Sequence, residues 1–178
     1  MFSDKENLAG QVKNQRKVSN IMVAKTIKLK NLDLNPLSVA KYFYEKGIET
    51  NSTMQDLLYL SYLEIIKKES ILLFAEEFQA WEGGPTLHSV FYAMSDYMEK
   101  NETYKGLFDK VPSIKNKTVI SHLENIYQQY KKYENQKREM DFYEKAKDRA
   151  WKITRKPLNG SLKTKPIKLE TITNSLRI

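Results

Sequence analysis

No cysteine occurs in the 178 residues of this chain. That excludes disulfide staples and any zinc or redox centre built on thiolates, and it leaves a reducing compartment acceptable. Histidine is nearly as scarce, with two residues, His88 and His122. Neither has a second histidine or an acidic partner at the spacing of a helical zinc site such as His-Glu-x-x-His, so no metal and no other cofactor is expected. Glycine and proline are few, six and five, and they form no Walker loop, dinucleotide-binding pattern or Gly-x-Ser-x-Gly elbow. No stretch approaches the roughly 18 apolar residues that span a bilayer. The opening MFSDKENLAG lacks the apolar run of a secretory signal. The expectation is a soluble, cytoplasmic protein without a membrane partner.

A surplus of basic residues is present, with a formal net charge of +8, and its position decides what it means. Residues 1–31 hold seven basic against two acidic residues, residues 32–156 hold nineteen against nineteen, and residues 157–178 hold four against one. The chain therefore divides into a basic N-terminal extension (1–31), a neutral body (32–156) and a basic C-terminal tail (157–178). The arginines number five, few for a protein that grips phosphate or reads guanine through bidentate contacts. Nucleic acid remains an alternative partner, reached through the basic ends. Lysine-rich solubility is the other reading.

Helical periodicity dominates the body. Asn35-Pro36 reads as an N-cap followed by a first-turn proline, and Val39, Ala40, Phe43 and Tyr44 recur at helical spacing until Gly47, a good stop. Thr53-x-x-Asp56 resembles a capping box. The run MQDLLYLSYLEIIKK after Thr53 is apolar or aromatic on nearly every side, which predicts a central helix. Ile71–Phe74 is short and apolar, an edge strand or a buried extended segment. Residues 101–117 contain Gly106 and Pro112 and read as a loop with one turn at most, from which Phe108 and Val111 plug the core. Val119, Leu123, Ile126, Tyr130 and Tyr133 step by four, three, four and three, an amphipathic helix that needs a partner, sought within the chain rather than in a coiled coil because only about two heptads are present. A last helix spans about 138–155 with Phe142, Ala146, Ala150 and Ile153 on one face and Pro157 at its end. Ile167, Leu169, Ile172 and Leu176 in the tail fit a strand or short helix docked on the body, or a segment ordered by a partner. The predicted fold is mainly α, a single compact bundle of five or six helices with a short extended or β element at 71–74 as an option.

The chain is organised around LFAEEFQAWEGGPTLHSVFY, residues 73–92. Gly83-Gly84-Pro85 imposes a sharp change of direction, and Pro85 suits the first turn of the helix expected to follow, which carries Leu87, Val90, Phe91, Met94 and Met98 on one side. Trp81 reads first as a core aromatic covering the turn, with an anchor shown to a partner as the second reading.

The order Leu73, Phe74, Glu76 or Glu77, Phe78, Ala80, Trp81, Gly84, Pro85 resembles the central signature of the SocA-like Panacea antitoxin domains. Gln55, Leu57, Leu58, Tyr59 and Leu60 match a second block in the helix before it. Departures are Asp56 in place of a usual Lys, Gly83 in place of an aromatic, Thr86 in place of a hydrophobe, and Phe91 beside Tyr92 in place of the helix Tyr. Toward the end of the domain Trp151 corresponds to a Trp of the family, while the family's His is missing. The resemblance covers roughly residues 35–156. It implies an antitoxin that neutralises a cognate toxin protein by direct binding, in some members as an adaptor that delivers the toxin to a ClpXP-type protease, and often beside phage genes.

Chemistry is less well represented. Glu76, Glu77, Glu82 and Asp96 lie near the turn in sequence, and paired carboxylates do acid–base work only where burial splits their pKa values; a solvated patch is the simpler reading. Ser89 and Ser121 have no evident base. The Tyr-Lys run 127–133 looks like a stacking platform for single strands, but its tyrosines are also needed for the helical seam. The expectation is therefore an interaction module and no enzyme, with partner contacts at Phe78, Trp81, Glu82, Thr86 and His88 around the structural turn Gly83, Gly84 and Pro85.

Overall fold

Enclosing the apolar run after residue 53 is what the architecture achieves. The computed structural model describes residues 29–100, 103–158, 160 and 163–178. Most of the basic N-terminal extension lies outside the described residues. In order come β1 (Lys30–Asn31), α1 (Pro36–Tyr44), α2 (Asn51–Glu69), β2 (Ile71–Leu72), β3 (Gln79–Ala80), β4 (Pro85–Thr86), α3 (His88–Glu99), α4 (Tyr104–Phe108), α5 (Lys117–Asn135), α6 (Glu139–Ala146), α7 (Arg149–Arg155), a 3-10 turn (Lys156–Leu158) and α8 (Leu169–Leu176). The fold is mainly α, as the periodicities require, with eight α-helices among the described residues rather than five or six.

The central helix α2 buries Met54, Leu57, Leu58, Tyr59, Ile65 and Ile66 almost completely. Helices α1, α3, α5, α6 and α8 and strands β2 and β4 all pack on it. The stripe of α5 is buried as expected at Val119, Leu123, Ile126 and Tyr130, and its partner is α2 of the same chain. Asn116 caps α5, its side-chain oxygen accepting from the Val119 amide at 3.2 Å. The expected capping box of α2 is not formed, because the helix starts earlier: Thr50 is its N-cap and makes no side-chain cap bond, which leaves Thr53 and Asp56 inside the helix. Ser70 ends α2 in the left-handed region, φ 54°, its amide returning to the Ile66 carbonyl at 3.1 Å.

The extended option at 71–74 is realised at Ile71–Leu72, which pairs in parallel with Lys30–Asn31. Loop residues Phe108 and Val111 are buried as anticipated, with α4 as the turn within that loop. Two helical boundaries differ from the sequence reading. Pro85 does not open a helix; it lies in β4, and α3 begins at His88. The helix expected over 138–155 is two helices, because Asp148 acts as a second N-cap, its carboxylate accepting from the Trp151 amide at 2.9 Å. Redirection at Asp148 keeps Phe142, Ala146 and Ala150 buried but leaves Ile153 50% exposed. Met98 on α3 is likewise exposed.

The tail joins the core. Ile167 and Ile172 are buried, the Ile167 amide donates to the Phe78 carbonyl at 2.7 Å and the Ala80 amide to the Lys165 carbonyl at 2.8 Å. Arg155, itself buried, donates to the Lys163 carbonyl at 2.6 Å and the Ala80 carbonyl at 3.3 Å. No helix among the described residues is long and apolar enough to cross a membrane.

Because Leu123 is wholly buried between α5 and α2, Leu123→Ala should destabilise the fold by about 2–5 kcal/mol, the cost of a truncated core leucine. Chemical denaturation checks this, and a loss below about 1 kcal/mol would contradict the placement.

Candidate functional site

A four-residue loop, Trp81–Gly84, joins β3 to β4, whose register pairs Gln79 with Thr86 and Ala80 with Pro85. The Trp81 carbonyl accepts two bonds, from the Gly84 amide at 3.2 Å and from the Trp151 indole N–H at 3.0 Å. Gly84 has φ 151°, a conformation side-chain-bearing residues rarely adopt. Tyr143 on α6 donates its hydroxyl to the Gly83 carbonyl. The hairpin is therefore held from three sides, by its own turn bond, by α6 and by α7.

The helix after the hairpin has an apolar N-cap, Leu87, which offers no capping oxygen. Its free amides are satisfied from elsewhere. Gln55 of α2 accepts from the Leu87 amide at 2.8 Å. Glu76 accepts from the Ser89 amide at 3.1 Å and the Ser89 hydroxyl at 2.5 Å, placing a negative group at the positive end of the helix. The four carboxylates that the sequence sets near the turn are thus dispersed: Glu76 caps α3, Glu77 meets Lys168 at 2.9 Å, Asp96 meets Lys100 at 2.7 Å, and Glu82 is exposed. No group of three or more metal-ligating side chains of suitable geometry occurs among the described residues.

The residues expected to contact a partner fall into two sets. Phe78 is 1% exposed, enclosed by Tyr59, Tyr62 and Phe74 at ring separations of 4.9, 5.4 and 6.1 Å, and Thr86 is 6% exposed with its hydroxyl on the Gly84 carbonyl. Both are core residues, a correction that follows from the pleat: in extended chain, neighbours face opposite ways, so Phe78 and Ala80 point inward while Gln79 and Trp81 do not. Trp81 and His88 are half-buried and Glu82 exposed. The Trp81 indole N–H donates to His88 Nε2 at 3.2 Å. Its ring meets Phe91 at 4.7 Å, His88 at 5.5 Å and Tyr92 at 6.4 Å, and Tyr92 is 57% exposed. These four form one aromatic surface beside the turn.

Under the turn lies a cavity of about 190 Å³ lined by Ser52, Asp56, Trp81, Gly84, Phe91 and Tyr143 among others. A second, of about 310 Å³, shares Ser52, Asp56 and Tyr143 with it and continues toward Tyr130, Glu139 and Met140. Asp56 is 6% exposed. Burial pushes its carboxyl up to about 7, against the pull of Lys147. Sequence reading treated Asp56 as a capping residue and missed its place here, along with Tyr143 and Tyr92; the available signal was a Gln-Asp pair inside an otherwise apolar helix. Tyrosines of the Tyr-Lys run are engaged: Tyr127 donates to the Lys46 carbonyl at 3.1 Å, Tyr130 packs on Phe142 at 5.3 Å, and Tyr133 lies under Lys145 at 4.5 Å. They are not a free stacking platform.

Two outcomes follow. In the fold Asp56 holds its proton to about pH 7, from an ordinary 3.8, so the folded state binds more protons than the unfolded one between those values and loses stability as pH rises through that window. Asp56→Asn removes this dependence, and its advantage over the parent should be larger at pH 8 than at pH 4 by about 2–4 kcal/mol; parallel denaturation curves measure it, and equal advantages at both pH values would contradict the burial. Gly84→Ala should cost about 1–3 kcal/mol through backbone strain, since a Cβ there meets only ordinary contacts, Asp56 Oδ1 at 3.8 Å and Tyr143 at 3.9 Å. A melting temperature unchanged by that substitution would show that the turn is not fixed.

Comparison with protein-family models, with curated proteins and with solved structures gives no match for this chain.

Proposed function

We propose that this chain is an antitoxin-like interaction module, cytoplasmic and without catalytic activity of its own, which neutralises a cognate toxin by binding it directly. The observation that carries the reading is the aromatic surface of Trp81, His88, Phe91 and Tyr92 beside a hairpin tied down by Trp151, Tyr143 and Gln55. Interfaces concentrate their free energy in a few aromatic and charged anchors, and anchors set on a fixed scaffold lose little entropy on binding. Trp81, Tyr92 and His88 are such anchors, with exposed Glu82 at the rim. The likeness of the Gln55–Leu60 and Leu73–Pro85 blocks to Panacea domains supplies the class of partner, and delivery to a ClpXP-type protease is a further role in keeping with it.

Growth arrest by the protein encoded beside this one, relieved on co-expression with this chain, tests the reading. Tyr92→Ala with His88→Ala should abolish relief and weaken the complex at least tenfold, about 1.4 kcal/mol or more, at unchanged melting temperature. An apolar interface should also hold its affinity as salt is raised, whereas phosphate binding would fall steeply. Undiminished relief by the double variant, or steep salt dependence, would sink the assignment of this surface.

A further inference from the structure

A carboxylate taken out of water normally has donors to meet it, because an unpaired buried charge is costly. Asp56 meets no donor of the described residues, and its oxygens reach solvent only through the cavity, since the one fully sealed side-chain polar atom without a partner is Ser61 Oγ. Three of its polar neighbours on the cavity wall are already engaged, Gln55 with Leu87 and Asn51, Thr86 with Gly84, and Tyr143 with Gly83, and the fourth, Ser52, is exposed. The cation that acts on it, Lys147, is not within salt-bridge range of it. That ammonium meets Glu144 at 3.3 Å and sits over the Tyr143 ring at 4.1 Å. The cavity wall thus keeps one acceptor that the protein itself does not satisfy, among three aromatic side chains, Trp81, Phe91 and Tyr143.

We propose that this cavity is a binding site for an organic cation, a guanidinium or alkylammonium group, held by the Asp56 carboxylate and by the rings of Trp81, Phe91 and Tyr143. Each feature selects that class. Aromatic rings attract a weakly hydrated cation through their quadrupoles, most strongly when water is excluded. A hard metal ion is disfavoured, since it demands several oxygen ligands and one carboxylate among aromatic walls does not supply them. An anion is repelled by Asp56, and a neutral apolar group leaves the carboxylate unmet. The volume, about 190 Å³, far exceeds the ~30 Å³ share of one water. Burial raises the proton affinity of Asp56, so its carboxylate is presented to a cation from about pH 7 upward. Gly84 keeps the backbone close to the carboxylate, with the added Cβ position only 3.8 Å from Oδ1. The group enters either on a free small molecule or as the arginine or lysine side chain of another protein. The site stands or falls independently of any toxin.

The test uses the full chain and calorimetric titration with n-butylguanidinium, n-butylammonium and the neutral isostere n-butylurea. Saturable binding of at least one cation is expected, with butylurea weaker by about tenfold or more, as loss of a desolvated charge pair requires. Asp56→Asn should abolish the preference for charge while the protein stays folded by circular dichroism, and Trp81→Phe should weaken the cation severalfold. A blocked tripeptide with a central arginine separates the two sources: tighter binding than butylguanidinium identifies a partner's side chain, and equal or weaker binding identifies a free cation. Equal affinity for butylurea and the cations, unaltered affinity in Asp56→Asn, or no saturable binding by any cation would overturn the proposal.

Discussion

A helix with no polar face has to be surrounded, and everything else in this fold is a consequence of surrounding α2. Tyr59, Met54, Leu57, Leu58, Ile65 and Ile66 point in all directions from its axis and are all shut away from water. At about 1.5–3 kcal/mol for each large side chain taken from water, the helix contributes a major share of the driving force. No single neighbour covers it. Five helices and two strands do so together, and this explains why short, individually weak elements such as β2, β4 and α8 persist: each closes a gap over the same core.

Besides the enclosed Ser61, that apolar surface is interrupted by the Gln55-Asp56 pair near the start of α2. Gln55 reaches the N-terminus of α3 and holds the hairpin's end in place. Asp56 faces the cavity beneath the turn. The polar pair therefore marks where the core stops being a core and becomes a site, and the same two residues join the stability of α2 to the geometry of the loop above it. At the far side, the Tyr59 hydroxyl meets Asp148 at 2.9 Å, and burial raises the proton affinity of both groups. Asp148 simultaneously caps α7 and so aims Trp151 at the Trp81 carbonyl.

How much of this was legible varies with the kind of signal. The α5 stripe and the all-round burial of α2 could be read because side-chain spacing in a regular helix repeats without reference to distant residues. The break at Asp148 was hidden, since Phe142, Ala146 and Ala150 keep a step of four straight through it, and only an aspartate with capping geometry betrays the new start. Phe78 and Thr86 were placed at the surface by their closeness in sequence to Trp81, although two-residue alternation turns Phe78 inward and the hairpin buries Thr86. Pro85 read as a helix opener because proline suits both a first helical turn and a sheet edge, and the acceptors that move the helix start to His88, Gln55 and Glu76, come from other segments. Tyr143 carries no local signal at all.

The clasp between Trp151 and the Trp81 carbonyl joins residues 70 positions apart, and Tyr59 and Asp148 are 89 apart. Contacts of such separation repay their loop-closure entropy only once most of the chain is in place. Release of the α6–α7 segment alone would leave α2 and α5 paired while uncovering Asp56 and freeing the hairpin, so occupancy of the cavity and order in the C-terminal third of the described chain are two readings of one equilibrium.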